Sequence, residues 1–111
     1  VLYLANAFSL NMLNLNRPWQ VNVVPMSIEE VKDFIKIAQS NNKFKSAVGH
    51  QDLADILTNM LGLEIPCERM TVTLTPDDTL IVAQYVGPRL SEGTTTLPEG
   101  AQIQFVRLFI R

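Results

Sequence analysis

The sequence predicts a single α/β domain spanning residues 1–111, with one mixed β-sheet flanked by helices, assembled as a twofold homodimer. Three observations carry that expectation. Val1-Leu2-Tyr3-Leu4-Ala5 is an unbroken apolar run, the pattern of a strand buried on both faces. Leu53, Ile56, Leu57, Met60 and Leu61 recur at i, i+3, i+4, i+7 and i+8, the single buried stripe of an amphipathic helix. Hydrophobic residues make up 47% of the chain against 18% charged, which suggests apolar surface that a second copy would cover.

The elements follow in order. After the first run, Asn6 or Ser9 caps a short helical turn within Asn6–Leu13. Asn14 to Pro18 is a loop. Trp19-Gln20-Val21-Asn22-Val23-Val24 alternates apolar and polar residues as a half-exposed strand does, and Pro25 and Met26 are expected to end it. Ser27-Ile28-Glu29-Glu30 is a capping box, and the helix it opens buries Val31, Phe34, Ile35 and Ala38. Phe44 to Val48 is a short strand. The striped helix follows and stops at Gly62, with Pro66 just beyond. Glu68–Leu74 and Leu80–Val86 read as two strands of an antiparallel hairpin turned at Thr75-Pro76-Asp77-Asp78-Thr79. Gly87 to Ala101 is a loop, and Ile103–Ile110 is the last strand.

Charge narrows the function. A net charge of -2 argues against a general binder of duplex nucleic acid, which needs a basic face. It allows a small nucleotide held by backbone N–H groups and a few arginines. The single cysteine, Cys67, permits neither an internal disulfide nor a cysteine-cluster zinc site, and reads as a small buried or half-buried apolar residue. No apolar run has the length of a membrane span and no basic leader precedes one, so an intracellular, cytoplasmic protein without membrane contact is expected. Glycine-rich phosphate loops and nucleophile-elbow patterns do not occur, and no cofactor or metal is expected.

The chemistry-bearing residues lie where strands give way to helices or loops. His50, the only histidine, stands in Ser46-Ala47-Val48-Gly49-His50-Gln51 at the start of the striped helix. It is either a hydrogen-bonding residue of that helix N-terminus or a general acid beside an anion-binding helix end. Asn6, Ser9 and Asn11 follow the first buried strand, where ligands of α/β sheets bind and where turns are also capped. Arg69 opens a strand, and Arg89 lies in Gly87-Pro88-Arg89-Leu90; arginine's planar fork suits a phosphate or a base edge. Glu92 can accept from a base amino group or pair with Arg89. Tyr85 is placed to stack on a base or simply to pack.

These segments together resemble the viral ring nucleases, the type III anti-CRISPR family of archaeal viruses and bacteriophages. Leu4-Ala5-Asn6-Ala7-Phe8-Ser9-Leu10-Asn11-Met12-Leu13 is similar to that family's N-terminal signature. Ala47-Val48-Gly49-His50, Arg69 in Cys67-Glu68-Arg69-Met70-Thr71-Val72, and Arg89-Leu90-Ser91-Glu92-Gly93 match its later segments in order. The resemblance implies a homodimeric, metal-independent enzyme without cofactor that opens cyclic tetra-adenylate, the second messenger of type III CRISPR defence, into linear di-adenylates. It places the general acid on His50, and ligand binding on Asn6, Ser9, Asn11, Arg69, Arg89 and Glu92. The chain departs from the family at Gly87-Pro88, where relatives carry a polar pair, and at Tyr85, near a glutamine position. It departs again at Gln51-Asp52-Leu53, which lacks the usual Ser/Thr pair although cellular relatives also carry the glutamine, and in the short Thr94–Ala101 segment, where relatives carry a long helix. Two rivals remain at this point: a module that binds the cyclic nucleotide without cutting it, and a viral interaction protein of the same fold.

Overall fold

In the computed structural model, which describes residues Val1–Arg111, the first apolar run becomes strand β1 (Leu2–Ala5), with all four residues buried. A short 3-10 turn follows at Leu10–Met12. Then come β2 (Val21–Met26), α1 (Ile28–Ser40), β3 (Phe44–Ala47), α2 (Gln51–Leu61), β4 (Thr79–Val86) and β5 (Gln102–Ile110). The strands form one mixed sheet in the order β2-β5-β4-β1-β3. β1 runs parallel to both β3 and β4, while β5 is antiparallel to β4 and β2.

Helix boundaries follow the local chemistry. Ser27 and Glu30 form the reciprocal capping box, with Glu30 accepting from the Ser27 N–H at 3.0 Å and Ser27 Oγ from the Glu30 N–H at 3.2 Å. Gly62 takes the left-handed conformation at φ +65° and donates to the Thr58 carbonyl, which closes α2. Both helices pack on one face of the sheet, through Val31, Ile35, Leu53 and Leu57 against Leu2, Leu4, Ile81 and Phe105. The opposite face holds Tyr3, Ala5, Leu80, Val82 and Leu108. Irregular chain covers it, through Phe8, Leu13, Trp19, Val72 and Leu74. Helices therefore flank the sheet on one side only.

The expected hairpin does not form. β4 has β5 on one edge and β1 on the other, so no edge is left for a partner from Glu68–Leu74. That segment is not a strand. It starts beside the end of β3, where Ser46 Oγ donates to the Pro66 carbonyl at 2.6 Å and the Glu68 N–H donates to the Val48 carbonyl at 2.9 Å. Pro66 has no N–H to extend a ladder there. The segment then lies over the sheet face, with Val72 and Leu74 buried and Thr71 and Thr73 exposed. Its period of two is real, but it faces the sheet instead of joining it.

Pro25 and Met26 do not end β2 but belong to it, paired with Val106 and Phe105. Gln20 and Arg111 exchange both backbone hydrogen bonds, and the register pairs Val21 with Ile110 and Pro25 with Val106. Pairs alternate along an antiparallel ladder, so the position of Pro25 turns its missing N–H to the open edge. β2 is that edge strand.

Tyr3 is buried on β1, beneath the irregular chain that covers that face of the sheet. Burial, and secondly the Asp78 carboxylate, raise its hydroxyl above the usual 10.0. The folded state therefore holds this proton more tightly than the unfolded chain does. Its contribution to stability is complete below about pH 10 and declines as pH rises through the folded value. Urea unfolding of Tyr3→Phe should show a shallower loss of stability above pH 10 than the parent. An identical alkaline slope would contradict this.

Candidate functional site

The parallel strands β1, β3 and β4 end at the same edge of the sheet. The chain leaving β1 turns to the irregular face, while β3 leads into α2 on the helical face. This divergence opens a crevice beyond the strand ends, where α/β sheets hold their ligands. A hollow of about 680 Å³ lies there, and Asn6, His50, Asp52, Tyr85, Arg89 and Glu92 line it. That size is ordinary for a small-molecule site.

His50 is the N-cap of α2, with an extended backbone at φ −124° and ψ 120°. Its Nδ1 accepts from the Leu53 N–H at 3.4 Å. With Nδ1 as acceptor, a neutral imidazole carries its proton on Nε2. A proton-donating imidazolium carries a proton on both nitrogens, so His50 gives up the Leu53 N–H whenever it is in its acid form. The first-turn N–H groups of Gln51 and Asp52 remain as the free donors of the helix end.

Asn6 directly follows β1, and its Oδ1 accepts from the Gly49 N–H at 3.4 Å. Arg69 approaches the same glycine, donating from Nε to the Gly49 carbonyl at 3.1 Å. A Cβ on Gly49 would lie 3.2 Å from Arg69 Cγ, so a side chain there would press on this contact. Gly49, the residue before His50, is therefore held from both sides.

Arg89 and Glu92 come from the β4–β5 loop. Tyr85 on β4 donates from its hydroxyl to the Pro88 carbonyl, which ties down the start of that loop. Gly87 makes this possible, since its Cβ would lie 2.6 Å from Ala101 Cβ and 3.0 Å from the Tyr85 hydroxyl. Gly87-Pro88 is thus matched to Tyr85 and Ala101 across the loop base. Gly87→Ala should lose about 1–3 kcal/mol in urea unfolding through overpacking. Ala101→Gly in the same chain should recover a good part of that. Strictly additive losses would contradict direct crowding between the two residues.

Asn6, His50, Arg89 and Glu92 share one hollow. Ser9 and Arg69 do not line it. They line a smaller hollow of about 270 Å³ that adjoins it through Asn6. Ser9 Oγ accepts from the Asn11 N–H at 3.3 Å and caps the 3-10 turn. Asn11 is exposed on that turn and lines neither hollow. Asp52 lines the main hollow and was not singled out from the sequence. The available signal was a carboxylate two residues after His50, in the first turn of a helix. No group of three His, Cys, Asp or Glu side chains converges to hold a metal ion. No helix is long and apolar enough to cross a membrane.

Comparison with known proteins places the chain. The STIV B116-like family profile matches residues 2–105. Uncharacterized protein 26 of Sulfolobus islandicus filamentous virus (isolate Iceland/Hveragerdi) is 33% identical over 107 residues, covering 95% of this chain and 86% of that protein. Uncharacterized protein ORF117 of Acidianus two-tailed virus is 33% identical over 93 residues, covering 84% and 75%. The solved structure of B116 from Sulfolobus turreted icosahedral virus superposes with a TM-score of 0.82 at 20% identity, over 97% of each chain. That likeness concerns the fold. With the family profile spanning most of its length and two viral relatives at this identity, the chain belongs to the STIV B116-like family of archaeal virus proteins.

Proposed function

We propose that this protein is a metal-independent, cofactor-free ring nuclease that cleaves cyclic tetra-adenylate into linear di-adenylates and so switches off type III CRISPR signalling. The observation that carries the reading is the shared hollow. A histidine able to donate from Nε2, an arginine and a carboxylate meet there at the ends of parallel strands. An RNA ring brings its own nucleophile, the 2′-hydroxyl next to each phosphate. The protein then has to hold that oxygen in line with the scissile P–O bond and protonate the departing 5′-oxygen.

In this mechanism Arg89 and the free N–H groups at the α2 N-terminus hold the phosphate. Glu92 accepts from a base amino group or a ribose hydroxyl. Asn6 supports the Gly49 backbone. The 2′-hydroxyl passes its proton to solvent water as its oxygen attacks phosphorus. The bond to the 5′-oxygen breaks, and His50 in its imidazolium form gives its Nε2 proton to that oxygen and is left neutral. The immediate product end is a 2′,3′-cyclic phosphate. Ser9 and Arg69 serve farther parts of the ring, by way of the adjoining hollow.

The ring is larger than one hollow, and its own symmetry suits two half-sites related by a twofold axis. Apolar side chains left in solvent support a homodimer: Leu10, Leu15 and Val23 are 62%, 66% and 60% exposed. The host cytoplasm is the compartment where such a messenger would be met.

Product analysis after incubation with cyclic tetra-adenylate tests the reading, with a ring carrying 2′-deoxy sugars in parallel. The native ring should yield di-adenylates with transient 2′,3′-cyclic phosphate, and the deoxy ring should stay intact. Binding of both rings with cleavage of neither would assign the protein to sequestration of the messenger. Binding of neither would leave an interaction protein of the same fold.

A further inference from the structure

Asp52 is a carboxylate in the hollow to which the mechanism above gives no task. Its Oδ1 accepts from the Gly93 N–H at 3.2 Å. Gly93 has a left-handed backbone at φ +82°, next to Glu92. The surrounding turn is closed by the Thr94 N–H and hydroxyl, which both donate to the Ser91 carbonyl. A second tie lies farther along the same helix. Asn59 Nδ2 donates to the Thr95 carbonyl at 2.7 Å. Residues seven apart lie almost in line on a helix, about 10 Å along its axis. Asp52 and Asn59 therefore clamp one stretch of the β4–β5 loop onto one stripe of α2.

We infer that Asp52 is a positioning residue, a latch that fixes the loop carrying Arg89 and Glu92 to the helix whose N-terminus carries His50. The inference deepens the ring-nuclease reading and rests on it for the ligand. The latch itself is a property of the free protein. Oδ1 accepts an N–H from a turn that has little else to hold it, since Ser91, Glu92, Gly93 and Thr95 are all exposed. Asp52 also stands in the first helical turn, where its negative charge is favourable. Oδ1 is directed at the loop without a neighbouring cation to compete for it, as no side-chain ion pair involves Asp52. Losing the latch would leave Arg89 and Glu92 on a loop tied only by Tyr85 at its base and by Asn59 beyond the turn.

The test compares Asp52→Ala with Asp52→Asn. Asparagine keeps an oxygen that accepts from Gly93 but loses the charge, so it separates the latch from the helix-end electrostatics. Amide hydrogen exchange on the free protein should show Gly93 exchanging roughly tenfold faster in Asp52→Ala, the size expected of one such bond. Most of the protection should return in Asp52→Asn. Unchanged Gly93 exchange in Asp52→Ala would overturn the latch. So would an asparagine variant as fast as the alanine one. Titration of both variants with cyclic tetra-adenylate then reads the positioning role. Asp52→Ala should bind several-fold more weakly than Asp52→Asn, and equal affinities would overturn that role. If Gly93 responds as expected while the parent protein binds no cyclic tetra-adenylate, the ring-nuclease reading fails and the latch stands.

Discussion

Replacing His50 with asparagine should reduce turnover of cyclic tetra-adenylate by about 10²–10⁴-fold, the usual worth of general acid catalysis. Most of the binding affinity should remain. Asparagine is chosen because it can keep the capping task of His50 without the proton-donating one. Nδ1 caps α2 by accepting from the Leu53 N–H. Asparagine is among the best N-cap residues, so its amide oxygen can take over that bond. It cannot protonate a leaving oxygen. Stability of His50→Asn should therefore stay within about 0.5 kcal/mol of the parent, whereas His50→Ala should lose roughly 0.5–1 kcal/mol together with the activity. Single-turnover rates, a binding titration and urea unfolding on the three proteins give the full comparison. A His50→Asn protein that turns over at the parental rate would reduce His50 to a helix cap.

Leu4→Ala should cost about 2.7–5 kcal/mol of folding stability and lower the melting temperature by roughly 10 °C or more. Leu4 is fully buried at 0% exposure, on the strand between β3 and β4. It belongs to the core cluster that also contains Val31, Ile35, Leu53 and Leu57, so both helices rest on that cluster. Removing its side chain leaves a cavity that a sheet strand paired on both sides can collapse only in part. Asn6 is two residues farther on, so the site should loosen as well. Ile37→Ala provides the contrast, because Ile37 is 61% exposed on α1 and should change stability by no more than about 0.5 kcal/mol. A loss below about 1 kcal/mol at Leu4 would contradict the packing described here.

Much of the fold is legible in the residues themselves. The capping box at Ser27 and Glu30, the α2 stripe and Gly62 each act through neighbours within one or two turns, so their effect can be read locally. Glu68–Leu74 misleads because alternation reports only that every second residue is buried. It does not report whether the segment pairs along an edge or lies across a face, and that depends on β1 and β5 occupying both edges of β4. Pro25 misleads for a related reason. Its missing N–H ends a strand inside a sheet and costs nothing on the open edge of β2. The placement of both helices on one face is likewise a property of the whole sheet.

The site divides along the same line. His50 and Asn6 stand at strand ends that the sequence marks, and they meet because β1 and β3 are parallel neighbours. Arg89 and Glu92 were legible through their loop motif. Ser9 and Asn11 belong chiefly to the 3-10 turn, and Arg69 holds the back of Gly49. Asp52 stayed hidden because its partner, the Gly93 N–H, lies 41 residues away in the chain.

The most direct test of the ring-nuclease account is chromatography of cyclic tetra-adenylate incubated in EDTA with the parent protein and with His50→Asn. Linear di-adenylate from the parent and little or none from the variant is the predicted result. An intact ring in both reactions would contradict catalysis, and equal cleavage in both would contradict His50 as its acid.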